Sequence, residues 1–355
     1  MDLSLFYFAD DGSANTDRYR LLIEGARFAD SHGFAAVWTP ERHFHPFGGR
    51  YPNPAVTGAA LATVTERISI RAGSVVAPLH HPVRIAEEWA VVDNLSGGRA
   101  GISFASGWNA VDFSLRPDNY IDRKRAQADA IEMVRRLWRG EEVELTDGTG
   151  APARVRIYPV PVQLDLPIWL TSTGNLATFR QAGELGVGVL THLIWQDLDE
   201  LTEKISIYRK AFRARNGAER AGHIVLMAHT FLGADRDKVR EIVREPFSDY
   251  LRSSIGLITS ASGGALSDIK HEDVNPEDVD FLVARSFDRY FEAGGLFGTV
   301  EDGMRMLTRL AEVGVDEVAC LIDFVSDTDA VLSSLDYLGK LRSASLDAVA
   351  EGTRS

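Results

Sequence analysis

The sequence predicts a (β/α)8 barrel, and three observations carry that prediction. Short apolar runs alternate with segments of helical periodicity along nearly all of the 355 residues, the pattern of parallel strands joined by helical crossovers. Eight such units can be counted, and eight favour a closed sheet over an open, doubly wound one. Composition agrees: 45% hydrophobic and 25% charged residues supply a large core without the high-charge, low-hydropathy signature of disorder.

Residues 3–8 are the first apolar run, closed by the turn formers Asp10, Asp11 and Gly12, and residues 19–31 carry apolar side chains at helical spacing up to Gly33. Residues 34–38 are the second run. The long loop TPERHFHPFGGRYPNP follows, then an Ala-rich helix at 54–65 with Asn53 as its cap and Pro54 in its first turn. The third unit is a strand at 68–74 and a helix at 82–95 that stops at Ser96-Gly97-Gly98. The fourth strand spans 99–105, and its helix, at 119–139, sets Ile121, Ile131, Val134, Leu137 and Trp138 on one side. Residues 141–162 break the rhythm with a hairpin around Thr-Asp-Gly-Thr-Gly, read as an insertion. The alternation resumes with strands at 167–172, 187–190, 224–232 and 317–322 and helices at 175–185, 198–215, 235–252, 300–314 and 327–341. Residues 253–295 are polar and Gly/Ser-rich, without a clear period. The expected organisation is one barrel domain over 1–345, insertions near 141–166 and 253–295, and a flexible tail at 346–355.

Charge and cysteine usage narrow the function. A net charge of −13 argues against a nucleic-acid or anionic-membrane partner, since either would need a basic face. The lone cysteine, Cys320, excludes disulfide frameworks and thiolate metal sites. No apolar run approaches the 18 or so residues of a membrane span, and the N-terminus lacks a basic start. A cytoplasmic location is expected.

In a barrel of this kind the chemistry lies at the carboxyl ends of the strands. Those ends here carry Glu41, His43 and His45; Gly73 and Ser74; Ser106, Trp108 and Asn109; Ser172, Thr173, Gly174 and Asn175; Thr191 and His192; and Asp323. After the fourth strand, small residues run into Gly107-Trp108, which would let a flat ligand approach the backbone beside an aromatic ring; the same stretch also reads as a tight turn with a core tryptophan. In TSTGNLATF, hydroxyl side chains precede a helix start, so free amides and the helix dipole could hold a phosphate, or Asn175 could simply cap the helix. His43, oriented by Glu41, suits acid–base work near neutral pH, and His80 is a second candidate. No Walker motif, GxGxxG spacing or convincing metal-ligand spacing is present, so neither an NTPase, a Rossmann site nor a bound metal is expected.

TPERHFHPFGGRYPNP, RAGSVVAPLHHPVRIAEEWAVVDNLSGGR, ISFASGW, IWLTSTGN and LTHL together resemble the bacterial luciferase-like flavin monooxygenases, and more narrowly the subgroup associated with polyketide and non-ribosomal peptide biosynthesis. The resemblance runs from Leu3 to about Leu341. It implies a (β/α)8 barrel, usually a homodimer, that uses reduced FMN from a separate flavin reductase and adds one oxygen atom of O2 to a substrate. It places the flavin ring at Gly73, Ser74, Ser106 and Trp108, with a non-prolyl cis bond between Gly73 and Ser74. The phosphate falls on Ser172, Thr173, Gly174 and Asn175, with Tyr120 and Arg123 closing over it. His43 matches the second histidine of luciferase's Glu-His-His-Phe motif, while Arg42 stands where luciferase has its base. Asn109-Ala110 replaces the subgroup's usual His-Pro after Gly-Trp.

The expected reaction is hydroxylation of a natural-product precursor at an amine nitrogen or a carbon, with Baeyer–Villiger insertion the further option. His43, Glu41 and His80 manage protons, and residues 253–295 shield the site. The substrate is a free small molecule or one tethered to a carrier protein, which Arg42, Arg50, Arg116, Arg123 and Lys124 could meet. The competing readings are a deazaflavin-dependent oxidoreductase and a non-catalytic flavin-binding accessory protein.

Overall fold

Eight parallel strands close into the barrel that the alternation predicts. The computed structural model describes residues 1–8, 17–194, 196–261 and 276–352. Its strands are β1 (Asp2–Phe6), β2 (Ala36–Thr39), β3 (Ser69–Val76), β4 (Ala100–Ala105), β5 (Val143–Thr146), β6 (Pro152–Val155), β7 (Ile168–Thr171), β8 (Gly188–His192), β9 (Ile224–Leu232), β10 (Leu296–Gly298) and β11 (Glu317–Leu321). The closed circuit is β1-β2-β3-β4-β7-β8-β9-β11 and back to β1, all parallel. The short β10 pairs with Thr230–Leu232, beyond the stretch of β9 that pairs with β11.

The helices are α1 (Arg20–Ser31), α2 (Pro54–Ala62), α3 (Pro82–Ser96), α4 (Arg123–Trp138), α5 (Leu176–Leu185), α6 (Leu198–Asn216), α7 (Arg236–Ala261), α8 (Pro276–Ala293), α9 (Val300–Val313) and α10 (Thr328–Gly352). Their ends obey local chemistry. The Asn53 side chain accepts the amides of Ala55 and Val56 with Pro54 in the first turn, satisfying amides the helix itself cannot. Thr299 and Asp302 form a capping box on α9. Gly97, Gly186 and Gly314 close α3, α5 and α9 in the left-handed region.

The barrel's strands are buried along their length, with polar networks at both ends. Every residue of β2, β9 and β11 is buried, and large side chains such as Trp38, Tyr7 and Phe104 are sealed, each worth roughly 1.5–3 kcal/mol of burial. Cys320, on β11, is fully buried. At the amino-terminal end Glu317 accepts from Ser4 Oγ (2.5 Å), Trp38 Nε1 (3.0 Å) and Arg71 Nη1 (2.8 Å). The Arg71 guanidinium lies over both Trp38 and Trp169, 4.9 and 4.7 Å from their centroids.

The 141–162 stretch is a hairpin, with β5 and β6 antiparallel and Asp147 Oδ1 accepting the turn amides of Thr149 and Ala151. Four sequence expectations are corrected. Residues 253–261 and 276–293 are not irregular but continue α7 and form α8; 262–275, the rest of the supposed shield, lie outside the described residues, as does the turn at Asp10-Asp11-Gly12. β10 had no counterpart in the sequence reading. The fourth helix begins at Arg123, not Asn119, because 110–115 and 117–119 are tight 3-10 turns. The last helix runs through the expected tail to Gly352. Among the described residues no helix is long and apolar enough to cross a membrane.

Candidate active site

The carboxyl ends of β2 and β3 bring together three side chains that the sequence holds up to 39 residues apart. Glu41, on the loop after β2, is sealed from solvent and accepts through Oε1 from His43 Nε2 (2.8 Å) and His80 Nε2 (2.6 Å), and through Oε2 from the Val76 amide (2.7 Å). Phe44 adopts φ 54, an uncommon conformation for a bulky residue, and its ring is exposed while His43 faces Glu41. His80 follows the tight turn Ala77–Leu79 that ends β3.

Glu41 and His80 shift one another's pKa. Burial pushes the Glu41 carboxyl up, but donation from His43, His80 and Val76 and the charge on His80 outweigh it, so its pKa lies below the ordinary value. Burial works against the His80 cation, and Glu41 reverses that, raising its pKa. With both Nε2 atoms committed to Glu41, Nδ1 of each ring has no hydrogen-bond partner among the described residues. The same three residues form a cluster that could surround an ion. Their N···O separations of 2.6 and 2.8 Å are hydrogen-bond lengths, shorter than the roughly 3 Å between neighbouring ligands on an ion with bonds near 2.1 Å.

Beside this triad, β3, β4 and β7 contribute a chain of hydroxyls: Thr171 Oγ1 lies 2.5 Å from Ser74 Oγ and 2.7 Å from Ser103 Oγ. The Gly73–Ser74 peptide is cis. A Cβ on Gly73 would stand 2.6 Å from the Phe6 ring, so only glycine fits. Gly107 holds φ 75 and has Phe113 and Val76 against it, which turns Trp108 outward, 45% exposed. Ser106 is partly exposed on the same loop. Arg123 donates to Gly107 O (3.2 Å) and Tyr120 O (3.0 Å) and lies over the Tyr120 ring. Tyr120 and Arg123 thus brace the Trp108 loop.

The start of α5 forms a second cradle. Ser172 Oγ accepts the Gly174 amide (3.2 Å), Gly174 holds φ 108, and Asn175 caps α5 through the Ala177 amide (2.9 Å), with Thr173 exposed. A Cβ on Gly174 would stand 3.4 Å from Lys204 Nζ. Lys204, on α6, donates to Gln196 Oε1 (2.9 Å), and Gln196 donates to Thr191 and His192 O. Helix-start amides, hydroxyls and a cation therefore converge, a suitable seat for phosphate. Sequence reasoning missed Lys204, which also pairs with Glu200 one turn earlier on α6.

An aromatic cluster joins the loop after β2 to β9, α7, α8 and the end of β11. Phe47 packs on Phe8 and on Tyr250, and Tyr250 on His229, which also meets Phe247, Tyr290 and Phe324. Burial pushes His229 down to about 3 and His192 to about 4, so both are neutral. Tyr51 OH donates to Asp323 Oδ2 (3.1 Å), tying the loop after β2 to the end of β11.

A mouth with a histidine-flanked carboxylate, a phosphate seat and glycines that clear a flat ligand fits a flavin, and residues 1–317 match the family described as luciferase-like monooxygenase. The chain belongs to that family. It is 27% identical over 347 residues, 95% of this chain and 93% of the relative, to the oxygenase component of a flavin-dependent trigonelline monooxygenase from Acinetobacter baylyi. The oxygenating constituent of 3,6-diketocamphane monooxygenase from Pseudomonas putida, solved with FMN, superposes with a TM-score of 0.75 over 96% of this chain and 97% of its own, at 18% identity. A secondary alcohol dehydrogenase that uses coenzyme F420 superposes with a TM-score of 0.69 over 96% and 98%, at 17% identity. As a luciferase-like monooxygenase, the protein is an oxidoreductase that depends on a flavin.

Proposed function

We propose that this luciferase-like monooxygenase takes reduced FMN from a separate reductase and places one oxygen atom of O2 on an amine nitrogen or a carbon of a natural-product precursor, free or carrier-tethered. The observation that carries the reading is the Glu41–His43–His80 triad beside the Ser74–Thr171–Ser103 hydroxyl chain. Gly73, Ser74, Ser106 and Trp108 would hold the flavin ring, and Ser172, Thr173, Gly174, Asn175 and Lys204 its phosphate. When bound, reduced flavin supplies the electrons that activate O2. His80, whose protonated form Glu41 favours, donates a proton through Nδ1, while Glu41 fixes the orientation of both imidazoles. The aromatic cluster of Phe47, Tyr250 and Phe324 excludes water from the same space.

The relative's description as an oxygenase component supports the separate reductase. A homodimer is supported by an exposed apolar face on which Val56, Val91, Leu95, Val160, Val162 and Leu164 stand together around α2 and α3; α2, PAVTGAALA, is apolar all round, as helices buried on every side are. The cytoplasm, with its flavin reductases, is the compartment this chemistry suits.

The test is to titrate the protein with reduced FMN and with reduced deazaflavin, then add O2 and candidate amines. Tight binding of reduced FMN and one labelled oxygen atom in the product from ¹⁸O₂ support the proposal. Preference for the deazaflavin, with substrate oxidation that needs no O2, would replace it with the dehydrogenase reading that the F420-dependent fold relative suggests.

A further inference from the structure

Arg42 follows Glu41 directly and is only 5% exposed. Its Nη1 donates to Asp112 Oδ2 at 3.0 Å, and its guanidinium carbon lies 5.1 Å from the Trp108 ring centroid. Nε and Nη2 are buried and have no hydrogen-bond partner among the described residues. These two groups share one edge of the planar guanidinium, and their N–H bonds project side by side, a fork that matches the two oxygens of a carboxylate. Burial lowers the pKa of Arg42, yet a guanidinium stays protonated. The edge is therefore charged as well as unpaired.

Asp112 cannot complete it. Oδ2 is held by Nη1, and Oδ1 accepts from Asn109 Nδ2 at 2.8 Å, which fixes the carboxylate on the far side of the guanidinium. A buried donor left unmade costs free energy, more when it is charged, and here two stand together in the loop that carries Glu41 and His43. The Trp108 ring, nearly half exposed, lies against the same guanidinium.

We infer that the Nε/Nη2 edge of Arg42 binds a carboxylate of the substrate, and that this contact sets which substrate atom reaches His43 and His80. The inference rests on reading the mouth as the active site, and it names the substrate class: small organic acids whose carboxylate stands a fixed distance from the atom to be oxidised.

Calorimetric titration of the flavin-free protein with acetate, benzoate, phenylacetate and 4-aminobenzoate, against benzamide and methyl benzoate, tests this without turnover. At least one carboxylate should bind while the neutral analogues do not, and Arg42→Gln should weaken it by about tenfold or more. Arg42→Lys, which keeps the charge and loses the fork, should fall between, and serves if Arg42→Gln does not fold. A failure of every carboxylate to bind, equal binding of benzoate and benzamide, or affinity untouched by either substitution overturns the inference and leaves Arg42 a prop for Trp108 completed by water. Flavin titrations of the same proteins keep the two ideas apart. Flavin binding without carboxylate binding removes only this inference, whereas loss of flavin binding in the unsubstituted protein removes the active-site reading.

Discussion

The barrel holds two buried glutamates, one at each end, and they are built to opposite purposes. Glu317, at the amino-terminal end, is ringed by Ser4, Trp38 and Arg71, and Arg71 is itself covered by two tryptophans. The three side chains that donate hydrogen bonds to it are themselves buried or nearly so. Glu41, at the carboxyl end, accepts from two histidines whose outer nitrogens have no partner among the described residues, and it sits next to an arginine with an edge equally bare there. Both carboxylates are held below their ordinary pKa against the push of burial. What separates them is where their partners lead, so a buried charge network is a functional site only if its far side is left open.

Breaking each glutamate sharpens this contrast most. Glu317→Ala leaves the Arg71 cation buried and unpaired, and should cost about 3–5 kcal/mol in denaturant unfolding without changing flavin affinity in the folded protein. Glu41→Gln should lower turnover by roughly 10²–10⁴-fold, with a stability loss of only about 1–3 kcal/mol. If Glu41→Gln unfolded the protein and kept its turnover per folded molecule, the distinction between the two ends would be lost.

The next test is pH. His80 has a raised pKa, so its folded form binds a proton more tightly than the unfolded chain; its contribution is full below 6.5 and disappears as pH climbs through the raised value. Burial lowers the pKa of His223, which lies 3.7 Å from Glu317, so its effect runs the other way and stability falls as pH drops below 6.5. Glu41 adds stability that is present above 4.5 and lost as pH falls through its lowered value. Unfolding free energies of His80→Gln and His223→Gln across pH 4–8, each subtracted from the unsubstituted protein, should therefore diverge with opposite slopes. Smallest is the phosphate seat: Lys204→Gln should raise the flavin Kd about tenfold, more at low salt than at high, as read by fluorescence titration.

Much of the frame was legible because strands and helices announce themselves by period and by their ends. The Asn53-Pro54 start, the Ser96-Gly97-Gly98 stop and the hairpin turn at Asp147 needed no tertiary information. α8 was legible too and was passed over: Val283, Phe287, Tyr290 and Phe291 are all buried at helical spacing, but the Gly/Ser-rich residues before them dominated the reading. The site was half readable. Glu41, His43 and His80 could be picked out by residue type, whereas their convergence depends on β2 and β3 lying side by side. Lys204 and the bare edge of Arg42 left no mark in the sequence, since neither spacing nor composition records what a side chain fails to touch.

Cys320 has a practical consequence. Its thiol is wholly buried on β11, and burial pushes its pKa up to about 12, so almost no thiolate forms near neutrality. Oxidants released at the mouth meet no reactive thiol in this chain. A single cysteine introduced on the rim, for example at Thr173, could be tagged with a maleimide dye in the otherwise native protein, and flavin arrival followed by quenching from one known position.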